Sequence, residues 1–330
     1  MGSSTSVSTP RPRIISVLAT VVLSAVMVSS TIALPAVAST KTRLVTGLAG
    51  GSGSTVGPDG ALYVTEGLAG RVSRVDPKTG AVTTFASGLP PSLIGIGGAM
   101  DVVFKQGVAY VLVTLVGADV GGSDVNGIYR VDDPTHFTVI ADIGAFALAH
   151  PPATDFFIPT GLQYAIENVR DGFLVTDGHH NRIYRVTLDG TVTERITLDN
   201  VVPTGLEFRD GKVYVAQAGP VPHLPRNGRI VRFRVGSNHV TEVARGGRLL
   251  VDVEHGAGHL FALSQGFFTP GQDPGSPADP NTGRLLKVTE DGFTGVAWHL
   301  NQPTSLEIIG RNAYVVTLGG EVWRIRLGDD

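Results

Sequence analysis

The chain of 330 residues contains no cysteine. Disulfides, thiolate metal sites and a cysteine nucleophile are excluded, so stability must come from packing and from closure of the fold. An excess of one charge is also missing: 26 Lys and Arg stand against 29 Asp and Glu, a formal net charge of −3. That leaves no basic footprint for nucleic acid. There is no Gly-x-Ser-x-Gly elbow, no His-Glu-x-x-His, no phosphate-binding loop and no dinucleotide fingerprint. Only one long apolar run occurs, at the N-terminus, so no second membrane span is expected.

That run has the form of an export signal. Arg11 and Arg13 precede an apolar stretch from Ile14 to about Leu34, and Ala36-Val37-Ala38 is a small-residue cleavage site. The rival is an uncleaved anchor, but Ser16, Thr20, Ser24, Ser29 and Ser30 dilute the run. The expectation is a signal peptide over residues 1–38, a mature domain over 39–330, and a secreted protein with no membrane contact after cleavage.

What the chain does have is repetition. Gly 43 and Pro 20 are spread along it and mark many turns. Between them the same strands recur. Leu62-Tyr63-Val64, Ala109-Tyr110-Val111, Leu174-Val175-Thr176, Val213-Tyr214-Val215, Leu260-Phe261-Ala262 and Ala313-Tyr314-Val315 form one set. Val72-Ser73-Arg74-Val75, Ile128-Tyr129-Arg130-Val131, Ile183-Tyr184-Arg185-Val186, Ile230-Val231-Arg232-Phe233, Leu285-Leu286-Lys287-Val288 and Val322-Trp323-Arg324-Ile325 form another. The second set alternates apolar with polar residues, the signature of half-buried strands. The copies are about a blade apart, which predicts an all-β, six-bladed β-propeller of four-stranded antiparallel blades. The sixth copy has no fourth strand, while Lys41–Thr46 is a spare strand at the other end. It is expected to complete the last blade and close the ring.

The turns divide the ring into two faces. First-to-second and most third-to-fourth links are short, as at Pro58-Asp59-Gly60 and Leu188-Asp189-Gly190. The links 116–127, 219–228 and 265–283 and the crossings 88–98 and 144–159 are long and share the opposite face. Function is expected there and at the mouth of the central channel. Ligand-binding candidates are Glu66, Asp177, His179, Asn181, Gln217, His223 and Gln265. Also on those loops are Asp119, Asp124, Asn126, His150, Asp155, Arg226, Asn227, Asp273, Asp279 and Asn281. Glu66 and Asp177 are candidate metal ligands, and calcium or another divalent cation would suit such oxygen donors. His179, His180 and Asp177 are the candidate catalytic group, a histidine acting as base if a carboxylate orients it. Against this, Asn126, Asn181, Asn227 and Asn281 sit just before the third strand of their blades, where Asn caps turns and accepts left-handed backbone.

The segment Asp177–Val186 resembles the NHL-type repeat of the TolB-like six-bladed propellers. Through Pro159–Leu162, Phe173–Val186, Pro203–Glu207 and the Gly219–Asn227 loop, almost the whole mature chain resembles the ScyD/ScyE family of exported bacterial propellers. That family takes its name from members encoded beside scytonemin pigment biosynthesis genes, and the resemblance implies a fold without an agreed activity. Calcium-dependent lactonases are neighbours of this architecture, but Ser54-Thr55-Val56 occupies the first strand where they carry a glutamate. Two functions stay open: a module binding a small molecule, glycan or protein on the long-loop face, and a lactonase-like hydrolase or a lyase with a metal or a His/Asp pair at the channel mouth.

Overall fold

A computed structural model describes residues 1–2 and 40–328. The expected signal peptide and its cleavage point lie outside the described residues, apart from Met1 and Gly2. Six antiparallel sheets of four strands follow, the expected six-bladed propeller. Blade one comprises Gly51–Val56, Leu62–Glu66, Arg71–Val75 and Val82–Ser87. Blade two comprises Gly98–Lys105, Val108–Thr114, Gly127–Asp133 and His136–Asp142. Blade three is Gln163–Val169, Gly172–Asp177, Arg182–Thr187 and Val192–Thr197. Blade four is Pro203–Arg209, Lys212–Gln217, Arg229–Arg234 and Thr241–Arg245. Blade five is Leu250–Gly256, His259–Ser264, Gly283–Thr289 and Gly292–Leu300. Blade six has Pro303–Ile309, Asn312–Thr317 and Val322–Arg326 from the C-terminal end, and Lys41–Val45 pairs with the last of these.

The spare N-terminal strand therefore closes the ring as expected. Lys41 stands opposite Ile325 and Val45 opposite Val322. An Arg43–Glu321 ion pair of 2.9 Å fastens the seam. The Lys41 ammonium also reaches back to blade five and donates to the Trp298 carbonyl at 3.0 Å.

Second strands are sandwiched between neighbouring blades and are apolar nearly throughout; Phe173 to Asp177 is wholly buried. Fourth strands lie on the rim and are mostly exposed, as in Val82–Ser87. Each first strand carries a bulge or irregularity in its pairing with the second. Such a kink turns polar groups toward the neighbouring blade. Thr65 donates to the Met100 carbonyl at 3.0 Å, and Thr204 donates to the Leu250 carbonyl at 2.9 Å. The ring is thus held by hydrogen bonds between blades as well as by packing. One crossing differs from the irregular loop that the sequence suggests: Ile143–Ala149 is a helix, capped where Asp142 accepts from the Ala145 amide at 2.7 Å.

Candidate functional site

The link after the second strand of blade three is tightly held. The Asp177 side chain is buried and accepts from the amides of Leu162, His179 and His180, from the Gln163 amide group and from the Tyr184 hydroxyl. Gly161 makes this possible, since a Cβ there would lie 2.1 Å from the Asp177 carboxylate and φ is +75°. Tyr184 in turn accepts from Arg182 at 2.8 Å. The fully buried Arg182 also donates to His180 Nδ1, to the His150 carbonyl and to Glu194.

His180 Nδ1 faces a guanidinium, so the imidazole proton sits on Nε2, which donates to the Ile158 carbonyl at 3.0 Å. His179 Nε2 accepts from the Phe157 and Ile158 amides at 2.9 and 3.0 Å. Burial holds both histidines below their ordinary pKa. Both lone pairs are occupied, and both rings clamp the crossing that leads into blade three. Asn181 has φ +56° and accepts from the Val201 and Val202 amides, making a turn.

Glu66 ends the second strand of blade one and is buried against Arg71, Ser73 and the Ala49 amide. Burial opposes its ionisation, but these bonds outweigh it and its pKa is lowered. Gln217 occupies the same rung in blade four and is buried. Gln265 accepts from the Ala278 amide at 2.9 Å and so pins the long loop of blade five. His223 faces the Gly219 carbonyl at 2.6 Å and packs edge-on against Phe268. Asn126 bonds Val116 and Thr160, and Thr160 also donates to Asp119. Among the described residues, no three of these acids and imidazoles, and no three elsewhere, are arranged to hold a metal ion. A calcium centre does not fit Glu66 or Asp177, because both oxygens of each already accept hydrogen bonds from the protein.

Two features escaped the sequence reading. The first is the channel lining, a narrow cavity of about 50 Å³. Pairing with the second strands puts Glu167, Glu207, Glu254 and Glu307 at one rung of blades three to six. Burial, reinforced by their mutual repulsion, pushes Glu167, Glu254 and Glu307 well above the usual carboxylate range. Asp101 and Asp252 lie two residues earlier on their strands and accept from the Ile166 and Leu306 amides of the next blade. Burial raises Asp252 to about 7.

The second is a groove of about 650 Å³ on the flank of blade five, where it meets blade four. Its walls come from Pro225 on one long loop, from Phe267, Asp279, Asn281 and Thr282 on another, and from the crossing at Gly246–Arg248. Its floor is the blade itself, with Ser264, Arg284, Gly295 and Trp298. Trp298 is 49% exposed and Phe267 40%. The Arg248 guanidinium lies 4.7 Å from the Phe267 ring centroid. A volume of this size is in the ordinary range for a small-molecule pocket. The channel, by contrast, has room for little more than water.

No family model matches the chain, and no curated protein matches it either. Solved structures do. A gluconolactonase from Xanthomonas campestris superposes with a TM-score of 0.61 at 14% identity, covering 88% of this chain and 90% of that one. Virginiamycin B lyase from Staphylococcus aureus, in an inactive form with quinupristin, gives 0.56 at 14% identity over 88% and 99%. The PQQ-bound aldose sugar dehydrogenase from Streptomyces coelicolor gives 0.57 at 13% identity over 87% and 97%. At such identities the likeness concerns the fold alone, a six-bladed propeller.

Proposed function

We propose that the protein is an exported ligand-binding propeller of the ScyD/ScyE type, and that it binds its ligand in the groove between blades four and five. The observation that carries this reading is the groove itself. It opens beside two of the long loops, has about 650 Å³ of space, and exposes two aromatic rings beside two guanidinium groups. A ring system with polar substituents is the ligand such walls suit. A metal-dependent hydrolase at the channel mouth finds less support. His179, His180 and Asp177 are engaged in holding the blade-three crossing, and the channel is narrow.

Thermal-shift screening of the mature chain against sugars, sugar acids and short peptides tests the reading. A stabilising ligand should lose its effect in the double variant Phe267→Ala/Trp298→Ala. If the shift survives in that variant but disappears in Gln217→Ala or Gln265→Ala, the site lies at the channel mouth and the groove is not the binding site.

A further inference from the structure

Arginine recurs at the first rung of the third strand. In blades one, three, four and five it is Arg71, Arg182, Arg229 and Arg284, each directly opposite the last residue of the second strand. In three of these blades the guanidinium has a carboxylate. Arg71 pairs with Glu66 across the rung at 2.5 Å. Arg182 pairs with Glu194 on the fourth strand at 3.2 Å. Arg229 lies 3.6 Å from Glu242, which holds the same fourth-strand position as Glu194.

Blade five keeps the arginine and loses both acids. The residue opposite Arg284 is Ser264, where blade one has Glu66 and blade three Asp177. The rung of Glu194 and Glu242 is occupied by Gly295, opposite Leu286. Arg284 has no ion pair among the described residues. The groove lies over these positions. In blade three the same place is closed, because the crossing lays His150 over Arg182 and takes a bond from it.

The vacated rung is filled by an aromatic surface. Trp298 is the direct cross-strand partner of Arg284. A Cβ on Gly295 would lie 2.4 Å from the indole, so the missing side chain is what lets the ring lie against the strand with a face open to solvent. Asn281 lines the rim with Asp279, whose carboxylate accepts from Thr269 at 2.7 Å, and with Thr282, whose hydroxyl is held between the Phe267 amide and the Asp279 carbonyl.

We propose, on the reading that this groove is the ligand site, that it takes a carboxylate-bearing sugar ring of the uronic acid class. The ligand carboxylate replaces the internal acid that blade five lacks and pairs with Arg284, as Glu66 and Glu194 do with their arginines. The apolar face of the pyranose lies on the Trp298 indole. Ring hydroxyls meet the Asn281 amide, which both donates and accepts, and the remaining lone pairs of Asp279. That rim favours a polyol over a flat aromatic acid, which offers the groove few hydroxyls.

Titration of the mature chain with trigalacturonate, followed by tryptophan fluorescence or calorimetry, tests this. Fully methyl-esterified trigalacturonate and benzoate serve as comparison probes. The acid trisaccharide should bind, and its ester should bind at least about tenfold more weakly, since the charged pair is lost. Arg284→Gln should remove the preference for the acid. Ser264→Asp, which restores the acid of blade three at the expense of the Ser264 bond to the Arg248 carbonyl, should abolish binding in a chain that still unfolds cooperatively. Equal affinity for acid and ester, still dependent on Trp298, would refute the carboxylate while leaving the groove as the site. Binding unaffected by Trp298→Ala would refute the groove. No binding of the trisaccharide, or tighter binding of benzoate, would refute the ligand class.

Discussion

Arg284 and Trp298 stand directly opposite each other on the third and fourth strands of blade five. The equivalent arginines of blades one, three and four each lie beside a carboxylate; here a guanidinium and an open indole face share one groove. A propeller blade needs neither for stability at its rim. The pair therefore marks where this blade departs from the repeat that built it, and the departure consists as much of lost acids as of gained aromatics.

The indole depends on Gly295 for its position. Gly295→Ala should push the ring off the strand, because the new methyl would overlap it. Tryptophan emission should shift to the red as the ring becomes more solvated. Trp298→Phe supplies the reference signal of Trp323 alone. Emission in Gly295→Ala identical to the parent would show that the indole does not rest on that glycine.

The blade-three network should be among the costliest places to cut. Tyr184→Phe removes the hydroxyl that joins Arg182 to Asp177 and leaves each with one partner fewer. A loss of about 1–3 kcal/mol is expected, the range for a buried polar group left unsatisfied. Denaturant unfolding measures it. His179→Ala should instead leave global stability nearly unchanged and loosen the crossing, seen as faster proteolysis near Phe157.

The channel acids set a pH dependence. Burial, then repulsion from Asp252 and Glu167, raises the pKa of Glu307 in the folded chain. In the unfolded chain a glutamate ionises near about 4.3. Stability from this group is therefore full below that pH and is lost as pH rises toward the folded value. Glu307→Gln, which cannot ionise, should raise the melting temperature at pH 8 and change it little at pH 4. Burial depresses His180, whose contribution runs the other way: present above about pH 6.5 and lost on acidification. An equal effect of Glu307→Gln at both pH values would contradict the raised pKa.

Closure gives a further test. A chain starting at Gly47 lacks the strand Lys41–Val45 and exposes the edge of Val322–Arg326. Its melting temperature should fall by on the order of 10 °C. It also loses the Lys41 bond to the Trp298 carbonyl. An unchanged melting curve would mean that the seam does not bear the ring.

The ring was legible because second strands have apolar centres and third strands alternate, so a blade announces itself locally. Closure was legible because one strand was missing at one end and spare at the other. The fate of individual polar groups was not. Asp177 looked available, but its partners Leu162, Gln163 and Tyr184 are fixed by pairing across three strands. The channel glutamates did leave a signal, an apolar residue followed by Glu in Ile166-Glu167, Leu206-Glu207, Val253-Glu254 and Leu306-Glu307. Read as ordinary alternation it says nothing, because the bulge decides which side chain faces the axis. The groove was hidden for a similar reason. Fourth strands vary most in sequence, and only their register places Gly295 on the rung of Glu194 and Glu242.

The most direct measurement is a crystal structure of residues 39–330 grown with trigalacturonate. It should show a uronate carboxylate on the Arg284 guanidinium at about 2.7–2.9 Å, as charge-assisted bonds of this kind have, with the pyranose ring over Trp298. Trisaccharide bound at the channel mouth beside Gln217 and Gln265, with the groove holding only solvent, would contradict the account.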